Sequence, residues 1–255
     1  MSTPMSTDKP APRTAARRFA PVDLFTSLLL VFPLFLVYQL GVLALPSVYN
    51  GADLITASML RLLHGQVRYY LLVQGGLFVL FVGAVLVLRK KNQFNRRLVW
   101  RVLGESTLYA LLMGSLIVFV MMNLLHIDPR LAVGDPAAAP TPAADQGFVS
   151  RLVLSIGAGV HEELLFRLIG LSALVALLHK LIGMRRGLAI LIGFLVSSVL
   201  FSAAHHIIGG EPWRIGVFVY RTFCGLFFAT LFWTRGFAIA VYTHALYDIY
   251  VLVVR

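Results

Sequence analysis

The chain of 255 residues is 59% hydrophobic and only 13% charged, which excludes a soluble globular domain, because a domain of this size cannot bury so much apolar surface. Its formal net charge is +11, but the basic residues cluster between long apolar runs without an aromatic and basic platform, which argues against a nucleic-acid partner. The apolar runs are continuous rather than alternating, so we predict an all-α polytopic transmembrane helical bundle and not a β-barrel.

The order of polar and apolar segments divides the chain into three predicted parts. Residues 1–20 form a polar, basic cytoplasmic tail that lacks the pattern of a signal peptide. Residues 21–149 hold three spans and an outer Pro- and Ala-rich loop, and residues 150–255 hold a core of four spans. The seven predicted spans cover residues 24–45, 69–88, 106–125, 150–178, 187–208, 215–233 and 236–254, with an eighth span left open.

The connections between the spans carry topological information. Residues 53–63 follow the pattern of an amphipathic interfacial helix, although an ordinary loop explains them equally well. With the N-terminus in the cytoplasm, the inside segments hold fourteen Lys and Arg residues and the outside segments hold six. We therefore expect an integral protein of a membrane, the bacterial cytoplasmic (inner) membrane in view of the short chain, with its N-terminus inside.

Ionisable residues interrupt the fourth span. Charges inside a span cost about 2.5–3.5 kcal/mol each on insertion scales, so they usually face a polar cavity that has a function. On a helix, Glu163 and Arg167 lie one turn apart on one face, where they form a pair that lowers the cost of both charges. Glu162 is rotated by about 100° from Glu163 and points elsewhere, toward another partner.

Polar residues also interrupt the fifth and seventh spans. His205 lies in the fifth span, and His244 and Asp248 share one face of the seventh. A carboxylate in a dry site acts as a general base, and imidazoles orient the water or stabilise an oxyanion, so this set is able to activate a water molecule. A zinc site formed by Glu162, His205 and His244 stays open, although Leu165 occupies the second histidine position of an H-E-x-x-H motif.

The three groups resemble, in order and spacing, the motifs of the CPBP family. This family contains the CAAX prenyl proteases of the Rce1 type and the bacteriocin-processing type of intramembrane peptidase. Its motifs E-E-x-x-x-R, F-x-x-x-H and H-x-x-x-[N/D] correspond here to Glu162-Glu163-x-x-x-Arg167, Phe201-x-x-x-His205 and His244-x-x-x-Asp248. The resemblance covers residues 150–250, and the first three spans contribute nothing to it.

The resemblance implies a glutamic-type intramembrane endopeptidase without an obligatory cofactor. It implies that Glu162 and His205 activate water, that Glu163 and Arg167 support them, and that His244 and Asp248 stabilise the intermediate. The substrate is then a membrane-associated polypeptide, either prenylated or carrying a C-terminal sorting helix. Asp248 occupies a position where the prenyl-protein processors often have asparagine, and an ionised aspartate only accepts hydrogen bonds, so its part in an oxyanion site is open.

Two other interpretations remain open from the sequence. One is zinc-dependent hydrolysis at the same site. The other is a non-catalytic membrane protein, either a scaffold or immunity protein or a transporter. The complete set of three motifs argues against a degenerate family member, and the absence of an internal repeat argues against transport.

Overall fold

We describe a computed structural model of the chain, covering residues 20–45, 54–90, 94–127, 147–208 and 212–254. Within these ranges the chain is helical and contains no strand. The first four helices are α1 (Leu24–Ala44), α2 (Leu54–Leu62), α3 (Val67–Leu88) and α4 (Arg97–Asn123). They are followed by α5 (Phe148–Glu163), a π-helical segment (Leu164–Leu171), α6 (Ser172–Ala176), a second π-helical segment (Leu177–Leu181), α7 (Arg186–Ile207), α8 (Ile215–Arg235), α9 (Phe237–Ile249) and a last π-helical segment (Tyr250–Val254).

Six of these helices are long and apolar enough to cross a membrane, which confirms a polytopic helical bundle. The fourth is continuous from Phe148 to Leu181, and we call it the long helix. The seventh predicted span is a shorter apolar helix, since α9 has 13 residues and is about 20 Å long. The helix of the third predicted span, α4, begins at Arg97, nine residues before the predicted start of that span. Its first turns contain charged residues, which the apolar pattern did not count as part of the span.

The remaining predictions on the N-terminal half have different outcomes. Residues 54–62 form helix α2, which favours the amphipathic alternative, with Thr56 and Leu60 buried against the bundle. Almost all of the predicted tail and most of the predicted outer loop lie outside the described residues. The division into three parts stays a prediction, although α9 packs on both α1 and α4 as well as on α5.

Helix α9 lies at the centre of the bundle. Its residues from Ala238 to Val241 have no exposed surface, and they form the core together with residues of α1, α4 and α8. Helices α8 and α9 are joined by the single residue Gly236, which has φ of 104° and packs against the backbone of Val22. A short helix in this position is surrounded by protein, so polar side chains on it face other helices.

Close helix crossings hold α9 and α8 against their neighbours. A Cβ atom on Gly159 would lie 2.8 Å from the backbone nitrogen of Ala245, so the glycine permits the contact between α5 and α9. Similarly, a Cβ atom on Gly225 would lie 2.9 Å from the Cα atom of Ser198, at the crossing of α8 and α7.

An ion cluster closes the end of the bundle where α4 begins. Glu105 accepts hydrogen bonds from the Nε atoms of Arg101 at 2.8 Å and of Arg235 at 2.9 Å. Arg101 also donates to the carbonyl of Ala20 at 2.7 Å, and the Val22 amide donates to the carbonyl of Arg235 at 2.8 Å. These bonds connect the start of α1 to α4 and to the α8–α9 junction.

Candidate active site

Three helices bring the predicted polar residues together near the middle of the bundle. Glu162 and Glu163 are the last two residues of α5, and Arg167 lies in the π-helical segment that follows. His205 lies in the last turn of α7, while α9 carries both His244 and Asp248. A π-helical stretch at this point is notable, because such segments are rare and often occur at functional sites.

Glu163 is the link between two of the helices. Its Oε1 atom lies 2.8 Å from Nδ1 of His244 and 3.1 Å from Nη1 of Arg167. All three side chains are buried, and those of Glu163 and Arg167 have no exposed surface. The predicted pair of Glu163 and Arg167 on one helix face is therefore present, although the segment after Glu163 is π-helical rather than α-helical.

Arg167 is stabilised by two further contacts. Its Nη2 atom donates to the carbonyl of Gly225 on α8 at 3.2 Å. Its guanidinium also lies over the ring of Phe201 on α7, 4.4 Å from the ring centroid, in the geometry of a cation–π interaction. One buried cation thus holds the long helix, α7 and α8 in a fixed arrangement around Glu163.

Glu162 points toward the two imidazoles. Its Oε2 atom lies 3.7 Å from Nε2 of His205 and 3.9 Å from Nε2 of His244. Nδ1 of His205 lies 2.8 Å from the carbonyl oxygen of Phe201, which only accepts hydrogen bonds, so the proton of a neutral His205 is on Nδ1. The Nε2 atom of that tautomer therefore presents its lone pair toward Glu162.

Three neighbouring side chains fix the position of the His244 ring. Besides the bond from Nδ1 to Glu163, its Nε2 atom lies 3.5 Å from Oδ2 of Asp248. Its ring stacks on Phe228 of α8, with ring centroids 4.4 Å apart and an interplanar angle of 11°. This arrangement fixes the plane of the imidazole and aims Nε2 at Glu162 and Asp248.

Exposure changes steadily across the site. The side chains of Glu163 and Arg167 are fully buried, that of Glu162 is 4% exposed, that of His205 is 15% exposed and that of Asp248 is 24% exposed. The cluster therefore has a dry interior at Glu163 and an accessible side at His205 and Asp248. Three carboxylates face one guanidinium and two imidazoles in this small volume, a concentration of charge that favours proton transfer.

The comparison with protein families assigns this region. Residues 144–250 match the family model described as type II CAAX prenyl endopeptidase Rce1-like. This region is an Rce1-like domain. Searches of curated proteins and of solved structures returned no match.

The match confirms the resemblance to CPBP intramembrane peptidases, and all six clustered residues lie inside the matched range. It supports an intramembrane endopeptidase of the CAAX type, with a membrane-associated polypeptide as the class of substrate. Together with the six apolar helices, the Rce1-like domain makes the chain an integral membrane protein.

The donor set predicted for a metal was Glu162, His205 and His244, which are residue types that zinc accepts. In the part of the chain that the structure describes, no group of three or more His, Cys, Asp or Glu residues is arranged to hold a metal ion. The zinc alternative at these residues stays a prediction, and we derive no reaction step through a metal.

The sequence did not identify every residue that shapes this site. Phe228, which stacks on His244, and Gly225, whose carbonyl accepts from Arg167, both come from α8, a helix to which no motif had been assigned. A small residue in an otherwise bulky apolar helix was the only sequence signal for Gly225. Nothing in the pattern distinguished Phe228 from the other aromatic residues of α8.

Proposed function

We propose that this protein is a glutamic-type intramembrane endopeptidase in which Glu162 and His205 activate the hydrolytic water. The observation that carries the proposal is the separation of 3.7 Å between Oε2 of Glu162 and Nε2 of His205. This separation exceeds a direct hydrogen bond and suits two groups that share a bridging water. The Rce1-like match gives this geometry its reaction class.

Glu162 is the general base in this proposal. The water gives a proton to the Glu162 carboxylate while its oxygen forms a bond to the carbonyl carbon of the scissile peptide. Glu162 then passes the proton to the leaving nitrogen as the carbon–nitrogen bond breaks. Glu162 is almost fully buried, and a carboxylate in such a dry site is suited to general-base catalysis.

His205 orients the water. Because its Nδ1 proton is directed at the carbonyl of Phe201, the neutral ring accepts at Nε2 a hydrogen bond from the second O–H group of the water. The water is then held between one carboxylate and one imidazole, with a lone pair free for the attack. His205 is also the more exposed of the two imidazoles, so it meets the substrate from the accessible side of the site.

His244 and Asp248 stabilise the tetrahedral intermediate. Glu163 holds Nδ1 of His244, which leaves Nε2 as the only atom of the ring able to donate to a developing oxyanion. Because an ionised carboxylate only accepts, the contact between Nε2 and Asp248 at 3.5 Å requires a proton on one of the two groups. That shared proton is the donor that the oxyanion needs.

The same proposal includes the membrane setting. We infer that the N-terminus lies in the cytoplasm and that the membrane is a bacterial inner membrane, since the predicted inside segments carry most of the Lys and Arg residues. The substrate is proposed to be a polypeptide held in the bilayer by a prenyl group or by a C-terminal helix.

The test is hydrolysis by the full chain in liposomes. Two probe sets are supplied, namely farnesylated C-terminal peptides and single-helix transmembrane polypeptides, and the products are identified by mass spectrometry. Glu162→Gln keeps the size of the side chain but removes the base, so we expect turnover to fall about 10²- to 10⁴-fold with an unchanged melting temperature.

A neighbouring pair of histidines supplies the matched control. We expect His205→Gln to lower turnover strongly, whereas His206→Gln has little effect, because His206 packs against Trp213 with ring centroids 5.0 Å apart. Product formation by Glu162→Gln at more than a third of the wild-type rate would contradict the glutamate mechanism.

A further inference from the structure

A second polar feature lies far from the candidate active site. A cavity of about 420 Å³ opens between the end of the long helix, the start of α7 and the end of α8. We call it the basic-rimmed cavity, and it is lined by Ser172, Val175, Ala176, His179, Lys180, Arg186 and Trp233. Arg186 and His205 are nineteen residues apart on α7, so about 30 Å separates this cavity from the imidazole of the site.

The wall of the cavity and its rim differ in chemistry. Val175, Ala176 and Trp233 give it an apolar wall, whereas the rim carries the exposed side chains of Lys180 and Arg186. The sequence from 164 to 210 contains no Asp or Glu, and among the described residues neither Lys180 nor Arg186 makes an ion pair. The rim therefore carries positive charge that no acidic residue of the described ranges neutralises.

The geometry of the neighbouring backbone adds to this charge. Helix α7 begins at Arg186, and its N-cap residue Arg185 makes no side-chain capping hydrogen bond. The free N–H groups of the first turn and the helix dipole both favour an anion at this position. On the other side of the rim, Nδ1 of His179 donates to the carbonyl of Met184 at 2.9 Å, which fixes the turn that carries Lys180.

The loop beside the cavity has the character of a membrane boundary. Leu181, the last residue of the long helix, is 79% exposed and Ile182 is 61% exposed, and both lie between basic residues at the junction of two apolar helices. Trp233 lies near the end of α8, and tryptophan is enriched where the headgroup region meets the hydrocarbon. These features are typical of the boundary between lipid headgroups and hydrocarbon.

We propose that the basic-rimmed cavity binds one anionic phospholipid. The phosphate contacts Lys180 and Arg186, and the upper part of an acyl chain lies along Val175, Ala176 and Trp233. Basic pockets between transmembrane helices are suited to such headgroups. A free phosphate ion would satisfy the rim but would leave the apolar wall in contact with water, so the lipid explains both halves of the cavity.

The experiment uses the single tryptophan of the cavity as the reporter. Trp100→Phe and Trp213→Phe remove the two other tryptophans, and the full chain is then reconstituted in phosphatidylcholine vesicles. Brominated phosphatidylglycerol or brominated phosphatidylcholine is added at equal mole fraction, and the quenching of Trp233 fluorescence is compared. We expect the anionic lipid to quench several-fold more effectively, with a weakening of about fivefold for each rim charge removed.

Three variants decide between a lipid site and general surface charge. Lys180→Gln/Arg186→Gln should abolish the preference for the anionic lipid. Arg96→Gln/Arg97→Gln removes the same charge from the exposed start of α4, at the same end of the bundle, and should leave the preference unchanged. Ala176→Phe fills the cavity while both charges remain, and it should reduce the preference, provided that its melting temperature matches the parent.

Several results would overturn the proposal. Equal quenching by the two lipids in the parent protein removes its basis. An equal loss in the α4 control, or full retention in Ala176→Phe, indicates diffuse electrostatics instead of a site. Displacement of the brominated lipid by millimolar inorganic phosphate indicates a phosphate site without a lipid. If the rim variant fails to fold, the Ala176→Phe result decides alone.

Discussion

Glu163→Gln tests the buried linkage between the long helix and α9. The substitution keeps the shape of the side chain but removes the negative charge that Arg167 and His244 share, at 3.1 Å and 2.8 Å. Arg167 then remains charged without exposed surface. Its contacts with the carbonyl of Gly225 and the ring of Phe201 supply no formal charge, and Glu162 is the second, weaker source of negative charge near it.

The expected magnitude follows from the burial of the pair. Removing one partner of a buried ion pair costs about 3–5 kcal/mol, because the remaining charge stays desolvated. For chains of about this length, each kcal/mol corresponds to a shift of about 2–4 °C, so we expect Glu163→Gln to melt about 6–20 °C lower. Turnover should also fall, since a neutral amide oxygen is a weaker acceptor for Nδ1 of His244 than a carboxylate is.

The assay is thermal unfolding of the full chain in one detergent, with a double-mutant cycle. Arg167→Met removes the charge and keeps much of the apolar stem, so the double variant should be more stable than the sum of the single effects predicts. Glu105→Gln is the control, because its carboxylate is 23% exposed and such pairs contribute only about 1 kcal/mol each.

Two results would refute this reasoning. A melting temperature of Glu163→Gln within about 2 °C of the wild type would mean that Arg167 is not dependent on the carboxylate. Strict additivity in the cycle would mean that Glu163 and Arg167 act independently despite their contact.

Three further predictions concern the chain and the site. Gly236→Ala should destabilise the protein by more than about 2 kcal/mol, because the positive φ of 104° and the backbone of Val22 both oppose a Cβ atom. Gly183→Ala is the control and should cost less, because Gly183 has φ of 78° but no heavy atom within 4 Å of the added Cβ atom. Equal shifts in the two melting temperatures would contradict the role of the contact with Val22. A chelator should leave turnover unchanged if Glu162 activates water without a metal, and loss of activity that zinc restores would refute this expectation. Asp248→Asn should retain turnover within about tenfold, because an amide also donates to the intermediate, while Asp248→Ala should lower turnover about 10²-fold. Similar rates for the two variants would exclude a hydrogen-bonding role of this side chain.

The sequence predicted those parts of the site that depend on local spacing. Glu163 and Arg167 are one turn apart, as are His244 and Asp248, and any helical conformation puts each pair on one face. Because a charge in an apolar span costs free energy when it faces lipid, the sequence also predicted that these groups face the inside of the bundle. Convergence of the three helices followed from the resemblance, because no local pattern specifies which helices become neighbours.

Other features depend on tertiary packing that a single sequence does not encode visibly. The π-helical segment after Glu163 has the same apolar composition as an α-helix, so its wider turns leave no signal. The bonds from Arg235 to Glu105 join residues 130 positions apart. Both arginines of this cluster, Arg101 and Arg235, were counted as topological charges, and their common carboxylate partner emerges only from the packing of α4 against α8.

The central position of α9 has a consequence for biogenesis. This helix leaves the ribosome after the eight helices that precede it, yet it delivers His244 and Asp248 to the middle of the assembly. Glu162 and His205 therefore meet these two residues only after α9 has been translated. If the proposed mechanism holds, a nascent chain arrested before α9 therefore has an incomplete site and cleaves no substrate.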